Sequence, residues 1–231
     1  MSPANTPVVF VHGLWLHATS WDPWVDLFRE GGYAPQAPGW PGDSDTVEET
    51  RRHPERVAGK GIDDVVAHYA QIIRGLDAPP IVIGHSFGGI IVQRLLGQDL
   101  AAAAVALTRE QWRYGFGNAL PAQESDELYD RCAIPSPGKT LFEAAFAAVT
   151  PNSPAKVDTR NKTRGPLLIT AGGRDHTVPH VISTQTRRLY HRSPAITDLK
   201  EFPDRGHSLT IDHGWREVAQ AALDWLKQRS L

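Results

Sequence analysis

The chain has 231 residues, with 24 Lys and Arg against 26 Asp and Glu and 41% hydrophobic residues. That length suits one α/β domain spanning 1–231 and crowds two, and the balanced charge, with no run of one sign, offers nothing to nucleic acid or to an anionic membrane surface. Cys132 is the only cysteine, so no intrachain disulfide can form, and Met1 to Pro7 has neither the basic nor the apolar region of a leader; a soluble, cytoplasmic protein is expected.

Pro7-Val8-Val9-Phe10-Val11 is a continuous apolar run and predicts a buried parallel strand ending at His12-Gly13. Asp22 reads as the N-cap of a helix with Pro23 at its first position, and Trp24, Leu27 and Phe28 give that helix an apolar face. Tyr33 to Ala37 contains Pro35 and therefore predicts an edge strand, followed by the turn-rich Pro38 to Asp43. Thr46 to His53 is a short, charged, solvated helix. From Gly61, the residues Val65, Val66, Tyr69, Ile72, Ile73 and Leu76 recur at helical spacing.

Ile81-Val82-Ile83 runs straight into Gly84-His85-Ser86-Phe87-Gly88, and an apolar helical pattern follows at Ile90, Ile91 and Leu95. Strand, Gly-x-Ser-x-Gly and helix in succession is the context of a nucleophile elbow, a turn so sharp that only glycines fit beside the serine. Residues 99–107 are alanine-rich and predict a short strand or a helix. Residues 108–162 show no clear strand; helices around Glu124 to Arg131 and Thr140 to Val149, with several aromatics, predict a helical lid insertion. Pro166 to Ala171 is again a strand, running into Gly173-Arg174-Asp175. A helix from Pro179 to Tyr190, a strand from Ile196 to Phe202 and a helix from about His213 complete the chain. Strands alternating with helices call for a mostly parallel, twisted sheet with helices on both faces.

A serine hydroxyl is a poor nucleophile at neutral pH and needs a neutral imidazole, itself held by a carboxylate. After an elbow of this kind the chain order is serine, acid, histidine. Asp175 and His207 meet that order, each in a glycine-containing loop just beyond a strand. Asp43 and Asp99 are substitutes for the acid, and His176 is a less suitable base. His12 and His85 are expected to pack or to bond to backbone, and His17 to lie at the surface. The N–H groups of Leu14 and Phe87 would make an oxyanion hole, while Trp15, Trp112, Phe116 and Phe142 are candidate substrate contacts. No His, Cys or carboxylate spacing suggests a metal site, and this chemistry needs no cofactor.

With His12-Gly13, the Gly39 to Asp43 loop, Gly84 to Gly89, Gly173 to Pro179 and Gly206-His207-Ser208 in this order, the chain resembles the α/β-hydrolase fold superfamily, and within it the cofactor-free serine esterases and lipases of bacteria. The resemblance implies that Ser86, Asp175 and His207 are nucleophile, acid and base, with Leu14 and Phe87 as oxyanion donors, acting on a small apolar ester through an acyl-enzyme. Between Asp99 and Thr108 that superfamily places a well-formed strand, where this chain has the alanine-rich stretch. The same triad also serves hydroxynitrile lyases and cofactor-free perhydrolases, and the fold also serves non-catalytic small-molecule receptors. Haloalkane dehalogenases need a carboxylate where Ser86 stands. Oligomeric state is not set by the sequence.

Overall fold

A computed structural model describes residues 5–95, 104–105, 107–147 and 149–231. In chain order the elements are β1 (Pro7–Val11), α1 (Asp22–Glu30), β2 (Ala34–Gln36), α2 (Val47–Arg52), α3 (Pro54–Val57), α4 (Ile62–Arg74), β3 (Ile81–Gly84) and α5 (Phe87–Arg94). There follow β4 (Ala104–Val105), α6 (Arg109–Gly115), α7 (Ala122–Cys132), β5 (Ser136–Pro137), α8 (Gly138–Ala145), β6 (Leu167–Gly172), α9 (His180–Leu189), β7 (Thr197–Phe202) and α10 (Trp215–Lys227). The chain divides into two compact units, residues 1–107 with 131–157 and 230–231, and residues 108–130 with 158–229. The 108–162 segment therefore contributes to both.

The first unit is built on a parallel sheet in the order β2-β1-β3, with Val8 opposite Pro35 and Ile81, and Val11 opposite Gly84. Side chains alternate along a strand, so β1 serves two cores. Phe10 stacks on Trp21 and meets Trp24 and Phe28 edge-on, which covers one face with α1. Val9 and Val11 point the other way, into a cluster with Ile62, Val65, Val66, Tyr69, Phe87 and Ile91 from α4 and α5. This two-sided burial is why β1 reads as an unbroken apolar run.

The second unit pairs β6 with β7 in parallel register, from Leu167 opposite Thr197 to Gly172 opposite Phe202. Tyr190, Phe202, Val218, Ala219, Leu223 and Leu226 are buried in it. No helix among the described residues is long and apolar enough to cross a membrane.

Three local readings are corrected. A 3-10 turn, Ala18–Trp21, leads into α1, so Trp21 takes the cap position and Asp22 is the first helical residue. His17 is buried, because its ring caps that turn by accepting the Thr19 N–H (3.3 Å) and its Nε2–H donates to the Ser44 carbonyl (3.0 Å). Helix α6 adds to the two helices expected in 108–162, and Thr108 and Gln111 form a capping box that marks its start: Thr108 Oγ1 accepts the Gln111 N–H, and the Gln111 side chain accepts the Thr108 N–H. Of the alanine-rich stretch, 96–103 and 106 lie outside the described residues; Ala104–Val105 pairs antiparallel with Ser136–Pro137.

Candidate active site

In the first unit, β3 ends at Gly84 and α5 begins at Phe87, leaving two residues to reverse the chain. Ser86 turns it with φ 53° and ψ −120°, a conformation that costs a non-glycine residue on the order of 1–3 kcal/mol. The crowding around it explains the glycines. A Cβ on Gly84 would lie 2.4 Å from the Gly88 carbonyl, and one on Gly88 would lie 2.2 Å from the Val11 carbonyl oxygen. Gly89, in contrast, has open space where a Cβ would go. Phe87 is the first residue of α5, so its N–H has no intrahelical acceptor and lies at the positive end of the helix dipole.

The end of β1 abuts this turn. His85 N–H donates to the Val11 carbonyl (3.1 Å), and a Cβ on Gly13 would come within 2.9 Å of the Ser86 Cβ. Leu14 is buried in the unit's core beside Phe87, and Trp15, partly buried against the same core, has φ 64°. His12 is buried with Asp43: its Nε2–H donates to Asp43 Oδ2 (3.1 Å), which also accepts the Trp40 N–H (2.8 Å). Trp40 stacks on the His12 ring and donates its Nε1–H to the His12 carbonyl (3.1 Å). Asp43, weighed as a substitute acid, is thus engaged by His12; Asp99 lies outside the described residues.

In the second unit, the paired ends of β6 and β7 bring two loops together. Gly173 N–H donates to the Phe202 carbonyl and Arg174 N–H to the Arg205 carbonyl, both at 2.9 Å. A Cβ on Gly172 or Gly173 would strike the backbone of Arg205 or Pro203, at 2.6 and 2.4 Å. On these loops, His207 Nδ1–H donates to Asp175 Oδ2 (2.8 Å), and both residues are buried. Asp175 Oδ1 accepts the N–H groups of Thr177 (2.8 Å) and Val178 (2.7 Å). Burial pushes the Asp175 carboxyl up, but the His207 hydrogen bond and charge, with these two N–H donors, outweigh it and hold the group below its ordinary value. Such a pair fixes the imidazole orientation.

The aromatic candidates fall in different places. Phe116 is buried, meets the His207 ring edge-on with centroids 4.6 Å apart, and stacks at 4.4 Å on the fully buried Trp112. Asn118, just beyond, donates to the Arg174 carbonyl (2.6 Å), so α6 and its following turn brace the loops of both Asp175 and His207. Phe142, on α8 of the first unit, is 57% exposed. Cys132 is buried, and burial raises its thiol pKa.

The alpha/beta hydrolase family profile matches residues 8–221. Among solved structures, a methylesterase from Arabidopsis is 18% identical with a TM-score of 0.66, the match covering 96% of this chain and 99% of that one. Polyneuridine aldehyde esterase matches at 15% identity and a TM-score of 0.69, with the same coverage. A monoacylglycerol lipase from Paleococcus ferrophilus matches at 19% identity and a TM-score of 0.66, covering 97% of this chain and 95% of that one. At these identities the likeness is one of fold. No curated protein sequence matches.

Proposed function

We propose, for a chain that belongs to the alpha/beta hydrolase family, that it is a serine hydrolase acting on small carboxylic esters, with Ser86 as nucleophile, His207 as base and Asp175 as its carboxylate partner. The observation that carries this reading is the Ser86 backbone, held at φ 53° between glycines whose Cβ atoms would have no room. Strain of this kind persists where the surrounding structure over-determines it, and its use here is to present Oγ clear of strand and helix.

His207 removes the Ser86 proton as Oγ attacks the ester carbonyl carbon. The resulting oxyanion is stabilised by the N–H groups of Leu14 and Phe87. As the carbon–oxygen bond to the alcohol breaks, His207 returns the proton to the leaving oxygen, giving an acyl-enzyme and a free alcohol. Water then adds to the acyl carbonyl while His207 takes its proton, and as the bond from the acyl carbon to Ser86 Oγ breaks His207 returns that proton to Oγ, releasing the acid and restoring both groups. Asp175 keeps the imidazole in the useful tautomer throughout. The structural neighbours include two proteins named as esterases and one as a lipase, which favours esters as the substrate class. Trp15 and Phe116, with Trp112 packed behind Phe116, suit an apolar acyl or alcohol group, and Phe142 is assigned to the same apolar contact. The single cysteine favours the cytoplasm as its compartment.

Intact-mass labelling with a fluorophosphonate tests this reading without knowledge of the substrate. Rapid addition of one phosphonyl group, absent in Ser86→Ala and His207→Ala, is the expected result, and esters of graded acyl length then define the preference. A folded wild type that stays unlabelled would sink the reading.

A further inference from the structure

Resting on that reading, we propose that Ser136 is a positioning residue for the Leu14 oxyanion donor, through which the 132–137 segment sets the reactivity of Ser86. The loop after β1 turns at Leu14 and Trp15. Trp15 occupies the left-handed region at φ 64°, where a bulky side chain is unfavourable. Its conformation is held by the 132–136 segment, which enters from more than a hundred residues later. Trp15 N–H donates to Ser136 Oγ (2.6 Å), and the Trp15 carbonyl accepts the Ile134 N–H (3.0 Å). Leu16 bridges Ala133 in antiparallel fashion, and His17 N–H donates to the Cys132 carbonyl (3.0 Å). These bonds flank a single antiparallel bridge, and beside it the Ser136 hydroxyl takes the Trp15 N–H in place of a main-chain carbonyl.

The clamp is anchored. Ser136 is buried and pairs with Val105, Ala133 accepts the Arg51 Nε–H (2.8 Å), and Thr140 donates to the Pro137 carbonyl (2.6 Å). Holding the Trp15 N–H fixes the peptide plane between Leu14 and Trp15. The Leu14 side chain is locked in the core at the same time, so little freedom remains to the Leu14 N–H. Immediately before it, Gly13 lies so near Ser86 that an added Cβ would come within 2.9 Å of the Ser86 Cβ, which places this restraint beside the proposed nucleophile. Without the hydroxyl, Trp15 relaxes toward an ordinary backbone conformation and the donor loses its aim.

The test compares wild type, Ser136→Ala and Ser136→Thr in phosphonate labelling of Ser86, in ester turnover and in Tm. In Ser136→Ala, labelling rate and kcat are expected to fall about 10- to 100-fold, less than the loss of a whole oxyanion donor, with KM changed by less than about threefold. Ser136→Thr, which keeps the hydroxyl, restores the rates. If wild type labels and Ser136→Ala labels equally fast, the inference falls while the hydrolase reading stands. Equal slowing in Ala and Thr variants with a parallel loss of Tm identifies a packing role and also overturns it. An unlabelled wild type removes the reading beneath, and the inference with it.

Discussion

At the scale of single residues, the sequence pattern reaches the groups whose chemistry is written into local spacing. Ser86 is legible because its glycines and its flanking strand and helix are contiguous. Asp175 and His207 are legible because each follows a strand, and the structure brings the two to 2.8 Å of each other. Asp175→Asn tests what that pair does. The amide keeps the volume but can turn an N–H toward His207 and favour the wrong tautomer, so turnover should fall about 10³- to 10⁴-fold with little change in KM. The same variant has a pH signature. Because the folded state holds Asp175 below its ordinary value of 3.8, ionised Asp175 stabilises the native state above that value, and the contribution is lost as pH falls through the lowered value. The Tm gap between wild type and Asp175→Asn should therefore be steady above about pH 5 and close in more acidic solution. A gap that widens on acidification would contradict the lowered carboxyl. Less legible are partnerships across the chain: nothing local announces that Asp43 belongs to His12, or that Ser136 serves Trp15.

At the scale of elements, the elbow separates glycines that the sequence shows as equals. Gly88→Ala forces a Cβ against the Val11 carbonyl of a neighbouring strand, a backbone contact that cannot swing away, and should cost about 1–3 kcal/mol in denaturant unfolding together with most of the labelling rate. Gly89→Ala meets open space one position later in the same helix, and should stabilise by about 0.5–1 kcal/mol through helix propensity. Equal effects of the two substitutions would refute this account of the turn. Helix α6 is hard to read from the sequence for a physical reason. Its capping box was present at Thr108 and Gln111, but its seven residues show too little apolar periodicity, and its burial rests on Trp112 alone. Existence and type were legible for the longer elements, because a buried face repeats over several turns.

At the scale of the first unit, one buried ion pair joins distant segments. Arg94, at the end of α5, donates to Asp63 of α4 (2.9 Å) and to the Lys156 carbonyl (3.3 Å), and burial lowers the guanidinium pKa to about 10. Arg94→Met leaves Asp63 without that cation in the interior, which should cost about 3–5 kcal/mol in denaturant unfolding, whereas an Arg94→Met, Asp63→Leu pair should recover much of the loss. If the double variant is no more stable than Arg94→Met, the penalty does not arise from the stranded carboxylate.

The sequence by itself determined the alternation of strands and helices, the parallel class of sheet, the sharp glycine-flanked turn at Ser86 and the strand ends that Asp175 and His207 follow. These are carried by apolar periodicity and by glycines at fixed offsets, which act over a few residues and so leave their mark in contiguous text. Only the tertiary structure decided that His12 is taken by Asp43, that Phe116 lies on His207, that His17 is buried, and that Ser136 holds Trp15. Each of these is a contact between segments brought together by core burial, and a hydrogen bond of 2.6 Å between residues 121 positions apart leaves no periodic trace in the chain that makes it.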